Sequence, residues 1–245
     1  GTVSVKPVLK YSDAVNQDFV KACYRTIMSG KALPGIAFDY NMRDAMRAEP
    51  GAHYTEEDLM NISNIGCIEL AVPGKSFTDA MNCFMNLPKI LLIALNNGEY
   101  AGRLVGVKTE PAKSFQDVLN NYTKQLNYFI ELYAKGQNDA TPFFCKYYVR
   151  PLTSTLVEGC IEKAMLLDLG GSTYWTKTMS CCGIADVADS LMAVKQVVYE
   201  EGKLSLPELM DVCTKNYQNN ELLRQYLINR VPKYGNDISA VDVLA

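Results

Sequence analysis

The stretch SFQDVLNNYTKQLNYFIELYAKG, residues 114–136, constrains the fold more than any other. Phe115, Val118, Leu119, Tyr122, Leu126, Phe129, Ile130 and Tyr133 recur at helical spacing and share one face. Ser114 stands at the N-cap position and Gly136 at the stop. A long helix with one apolar face needs a second layer to cover it.

The rest of the chain supplies more helices with short strands between them. Residues 2–9 are rich in valine and alternate loosely, as a strand does. Residues 12–30 have helical spacing, with Ser12 as the cap and Gly30 as the stop. Residues 33–40 read as a short strand or loop. Thr55 with Asp58 forms a variant capping box opening a helix over 56–61. Residues 79–98 read as a buried helix ending at Asn97-Gly98, in which Pro88 imposes a kink or a late start. Helices follow over 152–167, 185–202 and 220–230, with a strand at 172–176. Gly170-Gly171 ends the first of these helices and Pro232 closes the last. Ser205 and Glu208 make a full capping box for one more helix. The pattern is helix-dominated α/β.

The 245 residues fit one large domain or two ordinary ones, and 48% hydrophobic with 21% charged residues is a globular balance. A net charge of −3 without any basic block argues against nucleic acid as a partner. The longest apolar run, ILLIAL at 90–95, is too short to cross a bilayer, and the opening residues lack the apolar core of a signal peptide. The eight cysteines form no CxxC pair and the one histidine is His53, so no metal site is expected. Reduced thiols and a cytoplasmic location are the expectation.

One loop carries chemistry. In ISNIGCIELAVPGKSF, residues 62–77, Cys67 and Glu69 lie two apart between Gly66 and the Pro73-Gly74-Lys75 turn. If 66–70 is extended, both side chains face one cavity. Gly66 allows a tight turn before the thiol and Pro73-Gly74 forces one after it. A neighbouring carboxylate disfavours a thiolate, so a two-electron cysteine nucleophile fits poorly. A neutral thiol beside a base suits radical chemistry: a sulfur radical, generated with the help of a partner or cofactor, takes a hydrogen atom from an activated carbon while the carboxylate takes a proton from an adjacent hydroxyl.

GCIE followed by PGK resembles the active-site loop of the glycyl radical enzymes. Three further blocks follow in that family's order: PLTSTLVEGCIEKAMLLDLGGSTYW, GIADVADSLMAVKQVVYEEGKLSLPEL and RVPKYGNDISAVD. The resemblance implies a ten-stranded α/β barrel of two half-barrels with surrounding helices, its finger loop at about 62–77. It implies Cys67 as the thiyl carrier and Glu69 as the general base of the lyase and dehydratase branches. Gly74 and Lys75 would serve the loop's structure. The family's radical-bearing Arg-Val-x-Gly-Tyr loop has no match here, so residues 1–245 are expected to be an internal part of one barrel domain, inactive alone. The radical glycine would lie outside the chain.

The resemblance also implies an S-adenosylmethionine-dependent iron–sulfur activating enzyme as partner, a small-molecule substrate, a homodimer when complete, and the cytoplasm or a bacterial microcompartment as location. The pyruvate formate-lyase branch has two adjacent cysteines at the loop, where this chain has Gly66. The diol-dehydratase branch has a His-Asp pair where this chain has Ala80-Met81. Met81 cannot hold a hydroxyl as an aspartate does. With Phe77 and Phe84 it suggests an apolar wall, and cleavage of a C–S, C–N or C–C bond. The alternatives are C–O cleavage by a diol or polyol dehydratase, and an inactive homologue or binding module. Cys181-Cys182 is expected in a turn before the 185–202 helix, packing or lining a loop.

Overall fold

The computed structural model describes residues 8–31, 33–49, 51, 53–66, 69–79 and 83–245. Two compact units emerge. One comprises Gly1–Asn82 and Pro142–Thr178, the other Cys83–Thr141 and Met179–Ala245.

The first unit opens with strand β1 (Val8–Tyr11), helix α1 (Gln17–Met28) and strand β2 (Gly35–Phe38). β1 and β2 pair in parallel, Val8 opposite Gly35. The expected strand at 2–9 falls mostly outside the described residues. α1 starts later than expected: the cap is Asn16, whose side-chain oxygen accepts from the Asp18 and Phe19 amides, and Ser12 closes a preceding turn. Helix α2 (Asp39–Arg47) was not foreseen; polar residues mask it, but Met42 and Met46, four apart, are both buried. Helix α3 (Glu56–Met60) begins at Thr55, whose hydroxyl accepts from the Asp58 amide as expected.

Strands β3 (Ser63–Ile65) and β4 (Glu69–Ala71) form an antiparallel hairpin, and β5 (Ser76–Asp79) follows the Pro-Gly-Lys turn. Met42, Met46, Leu59, Ile62, Val72 and Tyr174 form this unit's core.

In the second unit, residues 84–86 form strand β6 (Phe84–Asn86), correcting the helix expected from residue 79. Helix α4 (Leu87–Leu95) takes Pro88 into its first turn, and Asn86 caps it by accepting from the Lys89 amide at 2.9 Å. Proline is tolerated there and pushes what precedes it toward extended backbone. A short hairpin, β7 (Glu99–Tyr100) with β8 (Arg103–Leu104), leads to helix α5 (Phe115–Tyr147). Gly136 does not end α5; the helix runs on past it, through Pro142.

Helix α6 is only Pro151–Ser154, against an expected helix over 152–167. Gly159 (φ +93°) and Ala164 (φ +50°) adopt left-handed backbone that no helix can contain. The Glu158 amide and carbonyl bond instead to Gly74 and Thr173. Strand β9 (Tyr174–Lys177) matches the expected strand at 172–176 within its boundary uncertainty and pairs in parallel with β5. Strand β10 (Ser180–Cys182) pairs in parallel with β6, so the cysteine pair sits on a strand and not in a turn.

Helix α7 (Ile184–Val194) continues as a π-helical segment, Lys195–Glu200, in good agreement with 185–202. Helix α8 (Leu206–Thr214) carries the full Ser205–Glu208 capping box, helix α9 (Glu221–Asn229) follows, and a short α10 (Ser239–Asp242) was not foreseen. Met85, Leu87, Ile90, Leu91, Val118, Val187, Leu191, Val194 and Leu209 form the second unit's main core. Among the described residues the strands form five pairs and no larger sheet. No described helix is long and apolar enough to cross a membrane.

Candidate active site

The hairpin β3–β4 pairs Ile65 with Glu69, which leaves Gly66, Cys67 and Ile68 as its connection. Gly66 has φ +56°, so the chain turns there and extended backbone resumes at Glu69. The expectation of an extended run over 66–70 is corrected to that extent, and the tight turn expected of Gly66 is present. Cys67 itself lies outside the described residues, as does Met81.

Glu69 is 8% exposed, which removes it from the class of solvated loop charges. Its Oε2 sits over Gly66: a Cβ built on that glycine would meet it at 2.8 Å. Absence of a side chain at 66 therefore makes the space this carboxylate occupies.

The turn after β4 is held from several directions. The Lys75 and Ser76 amides donate to the Val72 carbonyl, and the Val72 amide donates to Ser76 Oγ at 2.9 Å. Gly74 has φ +77°, as the expected Pro-Gly turn requires. From the second sequence block, the Glu158 amide donates to the Gly74 carbonyl at 2.9 Å and the Tyr174 amide to the Lys75 carbonyl at 3.0 Å. The first two blocks thus meet at this turn, and β5 and β9 extend the meeting from Ser76–Tyr174 to Asp79–Lys177.

A buried carboxylate underlies the turn, and the capping-box reading of Asp58 did not foresee its wider role. Asp58 is 3% exposed. It receives Lys75 Nζ at 2.7 Å, Tyr174 Oη at 2.6 Å and Thr55 Oγ1 at 2.9 Å. Burial alone would raise its pKa, but the bonds from Lys75, Tyr174 and Thr55 outweigh it and hold the carboxyl below the usual range. Lys75 is correspondingly raised by its bond to Asp58. Nothing in the local sequence announces this network beyond the Thr55–Asp58 cap, because Lys75 and Tyr174 come from two further, separate segments.

Phe77, on β5, is half-buried, and the Arg150 guanidinium lies 4.7 Å from its ring centre. Asp168 holds Arg150 through its backbone amide at 2.8 Å and through Nε at 2.7 Å, with a further contact to Nη2. One face of Phe77 is therefore covered by this cation. Phe84 belongs to the second unit, on β6, and is 56% exposed. His53 is exposed and lines an open cleft of about 760 Å³ with Lys163, Trp175 and Lys177. In the second unit, burial pushes the Cys181 thiol up, and neighbouring Cys182 and Cys83 add to the effect. Among the described residues no cluster of three His, Cys, Asp or Glu side chains is arranged to hold a metal.

The arrangement joins a carboxylate excluded from water to a loop carrying one thiol, on a hairpin braced at its base. Comparison with known proteins bears on what that serves. The sequence model described as pyruvate formate lyase-like matches residues 6–245. Trans-4-hydroxy-L-proline dehydratase of Clostridioides difficile is 30% identical over 239 residues, covering 96% of this chain and 30% of that protein. An isethionate sulfite-lyase of Nitratidesulfovibrio vulgaris is 25% identical over 90% of this chain and 27% of its own length. The glycerol-bound form of the B12-independent glycerol dehydratase from Clostridium butyricum superposes with a TM-score of 0.84 at 29% identity, over 97% of this chain and 30% of that structure. The chain spans about a third or less of the length of these relatives.

Proposed function

The chain belongs to the pyruvate formate lyase-like family of glycyl radical enzymes, and on that premise we propose that the complete protein is a radical lyase working through Cys67 and Glu69. The observation that carries this reading is the burial of Glu69 at the start of β4, two residues after Cys67 in the sequence.

A glycyl radical on a residue outside this chain supplies the unpaired electron when present; a glycine loop of the Arg-Val-x-Gly-Tyr form does not occur in the sequence. The residues here fit such a group, since the hairpin connection carries a single thiol and no imidazole or second cysteine. The Cys67 thiyl takes a hydrogen atom from a substrate carbon, giving the thiol and a carbon radical. Glu69 accepts the proton released from the adjacent hydroxyl. In C–O, C–S or C–N cleavage the leaving group departs with the electron pair of its bond, and the thiol returns the hydrogen atom to the product radical.

Met81, Phe77 and Phe84 are the proposed apolar lining, which favours loss of a group through C–S, C–N or C–C cleavage. A second reading, C–O cleavage by a diol or polyol-type dehydratase, is favoured by the similarity to the hydroxyproline and glycerol dehydratases. A ten-stranded barrel of two half-barrels, a homodimer, activation by an S-adenosylmethionine-dependent iron–sulfur enzyme, and a cytoplasmic or microcompartment location complete the proposal.

The test uses the complete polypeptide with its activating enzyme under strict anaerobiosis. Cys67→Ala should keep the glycine-centred radical signal and lose all turnover. Glu69→Gln should lower kcat by about 10²–10⁴-fold. Released sulfite, ammonia, carbon dioxide or a dehydrated carbonyl product identifies the bond. Turnover that survives Cys67→Ala would defeat the radical assignment.

A further inference from the structure

We propose that Asp58 is a positioning residue for the reaction, setting the place of Glu69 through its ion pair with Lys75. The inference rests on the radical-lyase reading for its kinetic consequence, but its geometry stands within one unit of the structure.

β4 is only three residues long, and Glu69 is its first. β3 holds its start through the Ile65–Glu69 pair, and the turn at its other end is the second fixed point bounding the strand that carries the carboxylate. Backbone bonds from Glu158 and Tyr174 reach that turn, but they fix only Gly74 and Lys75 carbonyls. Among the described residues, Lys75 is the side chain that ties the turn to α3: it meets Asp58 at 2.7 Å, with the Glu158 carboxylate farther off at 3.7 Å. Asp58 is itself immobilised by Tyr174 Oη and Thr55 Oγ1, so α3 and β9 are tied through one carboxylate. Tyr54, whose ring centre lies 4.3 Å from that of Tyr174, closes the packing around it.

A buried carboxylate with three donors need not sit beneath a turn to stabilise a fold. Its placement one strand away from Glu69 gives it a consequence for the chemistry. Displacement of a reacting group by about 1 Å can cost about 10²-fold in rate. Asp58→Asn keeps the size of the side chain and an acceptor for Tyr174, while it removes the nearer of the two carboxylate charges that hold Lys75, leaving Glu158 at 3.7 Å.

The experiment compares Asp58→Asn, Lys75→Met and Lys75→Arg in the complete, activated protein. Asp58→Asn and Lys75→Met should each lower kcat about ten- to hundredfold, with KM changed less than about threefold and the radical content per chain unchanged. Lys75→Arg, which can pair with the same carboxylate, should recover most of the loss. The double variant Asp58→Asn/Lys75→Met should be no worse than either single one, because both remove the same contact. Unchanged turnover, or a loss that follows the amount of folded or radical-bearing protein, overturns the proposal.

Amide hydrogen exchange separates this from failure of the functional reading. Exchange across 69–76 should rise in Asp58→Asn while that of α8 stays as in the wild type. Unaltered exchange across 69–76 defeats the positioning role whatever reaction the protein performs. An activated wild type that gains no radical defeats the lyase reading, and the exchange result then decides the positioning role by itself.

Discussion

At the scale of single residues, the site depends on an absence. Gly66 combines a left-handed backbone with the lack of a Cβ, and the Glu69 carboxylate fills the space so left. Both requirements point to the same substitution. Gly66→Ala should cost about 1–3 kcal/mol of stability from its positive φ alone, measured by chemical denaturation. It should also move the Glu69 side chain, because a 2.8 Å approach between Cβ and Oε2 cannot persist. A crystal structure of the variant with Glu69 unmoved would refute this account of the loop. Residue-level reading of the sequence reached the turns at Gly66 and at Pro73-Gly74 correctly, since each depends on neighbours a few positions away. It missed Asp58 as an anchor, because two of its three donors, Lys75 and Tyr174, are distant in sequence.

Elements formed where local chemistry was complete. α8 starts at Ser205, whose hydroxyl accepts from the Glu208 amide while Glu208 returns to the Ser205 amide. Ser205→Ala should lower stability by about 0.5–2 kcal/mol, read from the denaturation midpoint at unchanged m-value. A loss below the lower bound would mean that tertiary packing alone starts the helix. Elements failed to match where tertiary bonds took their backbone groups. The 152–167 segment has helical apolar spacing, yet Glu158 gives its amide to Gly74 and its carbonyl to Thr173. The turn near the site gains those bonds at the expense of a helix. β6 was hidden for another reason: its three residues precede a proline at a helix start, and apolar spacing cannot tell so short a strand from a helical turn.

At the scale of the whole molecule, each unit has its own apolar core, and Tyr174 brings the second sequence block into the core that backs the site. The first unit also presents a cluster of exposed apolar side chains. Phe143 stacks on Tyr147 at 4.7 Å and Phe144 on Tyr148 at 5.6 Å, with Leu152 and Leu156 also exposed. Exposed apolar side chains of this kind favour association. The 245-residue chain on its own should self-associate with rising concentration in sedimentation velocity. Leu152→Ser with Leu156→Ser should reduce that tendency, and an unchanged profile would place the contact elsewhere.

By itself the sequence determined the α/β class, the caps at Thr55 and Ser205, the course of α5 up to Gly136, and the identity of the loop with its thiol and its carboxylate. These follow from side-chain period, hydrogen bonds within one turn, and residue chemistry at short spacing. Only the tertiary structure decided that Glu69 is buried, that the carboxylate lies over Gly66, that Arg150 covers Phe77, and that Asp58 gathers Lys75, Tyr174 and Thr55. The covering of Phe77 and the gathering at Asp58 rest on parallel pairing of β5 with β9, which joins residues about a hundred positions apart, and no local pattern encodes which distant strand a short strand will choose.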